Sequence, residues 1–196
     1  MAKQVEFFFD FGSPAAYLAY TQLPKIAAKA GAEIVWRPFL LGGVFKATGN
    51  ASPVNVPAKG KWMMGDLARY ARRYGTPFSV PAEFPINTLP LMRGAVGMQM
   101  KYTVLFAAYV DAVYQAMFVA PRDLRDPKVV AEVVQGIGMA PADFEALIGD
   151  LEVKQRLIAV TEEAVRRGAF GAPTYFVGEQ MFFGQDRLEF VAEALA

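Results

Sequence analysis

Phe7-Phe8-Phe9-Asp10-Phe11-Gly12-Ser13-Pro14 is an apolar run that breaks into a polar turn and a helix start. From Val5 to Phe11 the chain is dense in β-favouring aromatic residues and reads as a buried strand. Ser13 is a preferred N-cap, and Pro14 suits the first helical position, where a missing N–H costs nothing. A strand that turns into a helix aims free backbone N–H groups and the positive end of a helix dipole at one point, which suits an anion. Reactive cysteine thiolates are held at helix N-termini of this kind. Here a hydroxyl stands in that place, and the 196 residues include neither cysteine nor histidine. Any thiolate must therefore come from a bound molecule.

Outward from the turn, residues 14 to about 29 carry helical spacing (Tyr17, Leu18, Leu23, Ile26, Ala27) that stops at Gly31. Glu33–Phe39 reads as a second strand, stopped near Pro38. The βαβ order predicts parallel strands with a right-handed crossover. The pattern then changes. Gly42–Pro57 is rich in Gly, Asn, Ser and Pro and reads as a long loop, with a short helix around Val44–Ala47. The spacing beyond it predicts helices over 58–74, 88–101, 103–119, 127–136, 141–148 and 151–167, punctuated by prolines. Thr174-Tyr175-Phe176-Val177, a Gly178-Glu179 turn and Gln180-Met181-Phe182-Phe183 form a hairpin signature. Gln185-Asp186-Arg187 opens a final amphipathic helix, with Leu188, Val191, Ala192 and Leu195 on one face. The order β-α-β, helices, β-β-α predicts an α/β, thioredoxin-like fold over 1–41 and 168–196, with a loop and an all-helical domain inserted at 42–167.

Composition narrows the chemistry. Twenty basic residues against nineteen acidic ones give a net charge of +1, so no nucleic-acid partner is expected. The apolar stretches are too short to span a bilayer, and no apolar signal region precedes the first strand. The expected location is the cytoplasm, with no membrane partner. Without His or Cys there is no Ser-His-Asp triad, no cysteine nucleophile and no ordinary zinc site. No acidic cluster has metal-ligand spacing and no Gly-rich phosphate loop is present, so no metal is expected.

Three separated segments carry a family resemblance. They are Phe9-Asp10-Phe11-Gly12-Ser13-Pro14-Ala15-Ala16-Tyr17-Leu18, then Thr48-Gly49-Asn50 through Pro57-Ala58-Lys59-Gly60-Lys61-Trp62 to Asp66, and Phe170-Gly171-Ala172-Pro173-Thr174 with Gly184-Gln185-Asp186-Arg187. In this order and spacing the chain resembles the kappa-class glutathione transferases and, more closely, the 2-hydroxychromene-2-carboxylate isomerases. The resemblance implies a glutathione-dependent isomerase from the breakdown of naphthalene and related aromatics, acting on a small aromatic carboxylate as a homodimer. A kappa-like transferase or peroxidase is the alternative, and a non-catalytic thioredoxin-fold binding protein is a third reading.

The resemblance also assigns residues. Ser13 is the active serine, donating to the sulfur of glutathione and lowering its pKa; locally it is equally an N-cap. Ala172 precedes Pro173 in a cis bond and pairs its backbone with the cysteinyl part of glutathione. Asp186 meets the ligand's α-ammonium, helped by Gln185, with Phe183 and Gly184 on the same edge; Asp186 also suits a helix cap. Lys59 meets the glycyl carboxylate and Trp62 walls the pocket, although a lone Lys is ordinarily solvated and a lone Trp ordinarily core. Lys46 and Asn55 are the candidates for the substrate's carboxylate and carbonyl. The isomerases often carry an Asn-Arg pair where this chain has Asn55-Val56. Phe84 is expected to close the pocket with Asn87, which serves equally as the cap of the next helix.

Overall fold

The computed structural model describes residues 3–196 of the chain. A four-stranded sheet has the order β2-β1-β3-β4, built from β1 (Gln4–Phe9), β2 (Glu33–Pro38), β3 (Thr174–Val177) and β4 (Gln180–Phe183). β1 runs parallel to β2, with Phe7 opposite Trp36, and antiparallel to β3, with Phe7 opposite Tyr175. Helix α1 (Pro14–Ala30) joins the parallel pair and ends at Gly31, whose φ of 63° is the left-handed cap that glycine adopts freely.

β1 is buried on both faces, which is why it reads as a continuous apolar run rather than an alternation. Val5, Phe7 and Phe9 point into the main core with Leu18 and Leu23 of α1. That core continues without a break into α4 (Leu89–Lys101) and α5 (Thr103–Phe118), through Met92, Tyr109 and Tyr114. Phe9, Phe11 and Tyr114 form an aromatic chain, with Phe11 and Tyr114 centroids 5.0 Å apart. Phe8 points the other way, into a second cluster with Phe39, Val160 and Phe176. Arg167 lies 3.7 Å over the Phe176 ring and also pairs with Glu6.

The remaining helices are α2 (Leu41–Thr48), α3 (Pro57–Tyr74), α6 (Pro127–Gly136), α7 (Pro141–Gly149), α8 (Leu151–Arg166) and α9 (Leu188–Ala194), with 3₁₀ turns at Pro53–Asn55 and Gln185–Arg187. None of the helices among the described residues is long and apolar enough to cross a membrane.

Three expectations need correction. β1 stops at Phe9 rather than Phe11, because the Asp10 carbonyl accepts the Ser13 N–H at 3.0 Å and its side chain accepts the Gly12 N–H at 2.7 Å. The expected 42–57 loop does contain the short helix read around Val44–Ala47, but that helix extends over Leu41–Thr48 and a 3₁₀ turn follows at Pro53–Asn55. Two glycines weaken helix propensity at the start of that helix, but the Leu41 N–H is held by Asp10 at 2.8 Å and Val44 is fully buried; tertiary contact decides over local preference. The last helix begins at Leu188, after the 3₁₀ turn, and its N-cap position receives no side-chain hydrogen bond, so Asp186 does not cap it. A second cis bond, Phe84–Pro85, had no sequence signal.

Candidate active site

One buried carboxylate organises the region. Asp10 is fully buried and accepts hydrogen bonds from the Gly12 N–H at 2.7 Å, the Thr88 hydroxyl at 2.7 Å and the Leu41 N–H at 2.8 Å. It thereby ties the turn before α1 to the starts of α2 and α4. Burial pushes its pKa above the ordinary 3.8, and the three hydrogen bonds offset that in part. Gly12 has little room for a side chain, since a Cβ would stand 3.2 Å from Thr88 Cγ2. Asp10 was not singled out by the sequence reading, although one acid closing a run of buried phenylalanines was the available signal.

Ser13 is buried, and its Oγ accepts from the Ala16 N–H at 3.1 Å and donates to the Ala172 carbonyl at 2.9 Å. The first bond is the helix cap. The second reaches across 159 positions of chain to the residue before Pro173, whose peptide bond to Ala172 is cis. The Pro173 carbonyl accepts the Gly184 N–H at 3.0 Å. The bond from Ser13 fixes the Ala172 carbonyl on the side of the serine turn. The Ala172 N–H has no partner among the described residues. Phe183 packs over Gly171, where a Cβ would stand 2.7 Å from its ring, and its centroid is 4.5 Å from that of Phe170.

Helix α3 flanks this edge. Its Tyr74 hydroxyl donates to the Gln185 carbonyl at 2.9 Å, and burial pushes the Tyr74 pKa up to about 12, so the phenol stays a donor. At the other end of the segment, Asn50 Nδ2 donates to the Phe170 carbonyl at 2.8 Å. Lys59 lies in the first turns of α3, about 22 Å of helix rise from Tyr74. Trp62 is 64 % exposed, so it is not a core residue. Gln185 is buried, whereas Asp186 is exposed and pairs with Arg187 at 2.5 Å. No group of His, Cys, Asp and Glu suited to a metal occurs among the described residues.

A cavity of about 680 Å³ lies between α2, α4 and α8. Lys46 lines it and Asn55 and Phe84 do not. Asn55 sits exposed in the 3₁₀ turn at 53–55, while Phe84 is half-buried with its ring 6.4 Å from Phe118. Asn87 Oδ1 accepts the Leu89 N–H at 3.0 Å at the start of α4. Ser13 lies outside the cavity wall, but Leu40 and Leu89 in that wall adjoin Leu41 and Thr88, the residues that hold Asp10.

Residues 4–196 match the model of the DSBA-like thioredoxin domain. A 2-hydroxychromene-2-carboxylate isomerase of Sphingobium xenophagum is 32% identical over 197 residues, covering 100% of this chain and 99% of that one. A protein named glutathione S-transferase kappa 2, from Caenorhabditis elegans, is 30% identical over 207 residues, covering 99% of this chain and 92% of that one. A solved 2-hydroxychromene-2-carboxylate isomerase superposes with a TM-score of 0.85 at 31% identity, covering 98% of this chain and 94% of the other. The serine turn, the cis Ala172–Pro173 bond and the helices between the two halves of the sheet are thus those of a chain that belongs to the DSBA-like thioredoxin-domain family, in its branch of 2-hydroxychromene-2-carboxylate isomerases and kappa glutathione transferases.

Proposed function

We propose that the protein is a glutathione-dependent isomerase of small aromatic carboxylates, of the 2-hydroxychromene-2-carboxylate type. One observation carries the reading: the Ser13 hydroxyl, at the N-terminus of α1, donates to the carbonyl of Ala172, whose own N–H has no partner among the described residues. A peptide thiol fits such an edge by strand-like pairing. The chemistry that glutathione supplies when bound is a reversible conjugate addition of sulfur, which turns the substrate's double bond into a single bond about which it can rotate.

The chain's own residues prepare that thiolate. Ala172 C=O accepts the ligand's cysteinyl N–H, which takes the place of the Ser13 hydroxyl there. The hydroxyl is then free to turn to the sulfur, and the α1 dipole favours the same negative charge. Ser13 keeps its acceptor bond from Ala16 throughout and so needs only to rotate its proton. Asp186 leaves Arg187 for the ligand's ammonium, beside Gln185, Gly184 and Phe183. α3 lies along the opposite side, with Lys59 toward the glycyl carboxylate and Trp62 as an outer wall. Lys46 faces the substrate's carboxylate. A homodimer belongs to the same proposal and is read by analytical ultracentrifugation.

The test is calorimetric titration with glutathione, paired with the ultraviolet absorbance of the thiolate. Wild-type protein binds the tripeptide and shifts its thiol below the free value of ~8.5. Ser13→Ala keeps measurable binding, loses the shift, costs about 1 kcal/mol of stability as a lost cap, and slows turnover roughly 100-fold, as loss of one oxyanion donor does. Absence of glutathione binding overturns the proposal. The kappa relative supports a second reading, transfer of glutathione to electrophiles; conjugation of a chlorodinitrobenzene without ring-opening of the chromene selects it.

A further inference from the structure

We propose that the cavity between α2, α4 and α8 holds the carboxylate-bearing aromatic molecule, with Arg93 as the fork that grips the carboxylate and Lys46 as the second cation. The identity of that molecule as substrate rests on the function proposed above; the site itself rests on four observations.

The first is chemical character. The walls include Leu40, Leu89, Leu157 and Ile158, and about 680 Å³ is in the range of small-molecule sites. Such walls take an aromatic body and give nothing to hydrogen-bond it. The second is charge. Lys46, Arg93, Lys154 and Arg166 line the cavity with a single acid, Glu162. Arg166 stands 4.0 Å from Glu162, so that acid is already answered. Lys46, Arg93 and Lys154 make no ion pair among the described residues.

The third observation singles out one side chain. Arg93 is half-buried: its Nε is closed off from the open cavity, while its two terminal nitrogens make no hydrogen bond among the described residues. A bound carboxylate supplies two oxygens to that terminal pair, matching the planar end of arginine in a way that a lysine ammonium cannot. The fourth is position. Leu40 and Leu89 are chain neighbours of Leu41 and Thr88, which hold Asp10, and Asp10 shapes the turn that ends in Ser13. A molecule anchored on Arg93 therefore lies against the scaffold of the serine turn.

The experiment uses 2-hydroxycinnamate as the probe and its uncharged amide as the control, titrated calorimetrically into the full chain without glutathione. Wild-type protein binds the acid in preference to the amide. Arg93→Gln weakens the acid roughly 10- to 100-fold, the loss of a charge-assisted pair, and Arg93→Lys recovers part of it. Glutathione affinity stays at the wild-type value in both variants. Equal binding of acid and amide, or an acid affinity untouched in Arg93→Gln, overturns the assignment. If Arg93→Gln fails to fold, Arg93→Lys and the acid–amide comparison decide. Failure of glutathione binding with the carboxylate result intact sinks the isomerase reading and leaves the cavity standing.

Discussion

At the scale of single residues, Asp10 sets a measurable pH dependence. Its folded pKa lies above the ordinary 3.8 because burial outweighs the hydrogen bonds from Gly12, Leu41 and Thr88. A raised carboxyl binds its proton more tightly in the folded state than in the unfolded one. Its contribution to stability is thus fully present below 3.8 and declines as pH rises through the folded value. Asp10→Asn has no such proton, so urea denaturation of the two proteins across mildly acidic pH separates the term. Wild-type stability falls relative to the variant as pH rises in that window, then runs parallel to it; curves parallel throughout contradict the assignment. Ser13 was legible beforehand because a cap serine followed by proline is a local pattern. Asp10 and Arg93 were not, since what distinguishes them is burial and an unpartnered N–H, which depend on segments distant in sequence.

At the scale of elements, local spacing was enough wherever one helix face met the core. The predicted helix over 58–74 differs from α3 by a single residue at its start, and the 174–177 and 180–183 hairpin strands agree at both ends. α2 was legible only as a short helix around Val44–Ala47, because Gly42 and Gly43 argue against a helix at its start, while the contacts that hold it, from Asp10 and against Thr161, come from elsewhere in the chain. The two glycines are not equivalent. A Cβ at Gly43 would stand 3.1 Å from Thr161 Cγ2, whereas one at Gly42 meets nothing within 4 Å. Gly42→Ala is therefore expected to stabilise the protein by about 0.5–1 kcal/mol through the backbone entropy of the unfolded chain. In thermal denaturation that is a rise of roughly 1–4 °C for a chain of this size. An unchanged or lowered midpoint shows that α2 is not limited by its glycines.

At the scale of the whole molecule, the site is an assembly of remote pieces pinned by single side chains. Ser13 reaches Ala172, Asp10 reaches Leu41 and Thr88, Asn50 reaches Phe170, and Tyr74 reaches Gln185. None of these pairings has a sequence period, so the sequence could name the parts but not the cavity beside them. One of the chain's two tryptophans, Trp62, stands 64 % exposed on α3, while Trp36 is half-buried in the aromatic core. The molecule thus carries an intrinsic optical gauge. Iodide should quench the fluorescence of the outer indole and spare the inner one, and saturating tripeptide should shield the outer one and move its emission to shorter wavelength. A spectrum indifferent to the tripeptide, in protein that calorimetry finds loaded, would take Trp62 off the wall assigned to it.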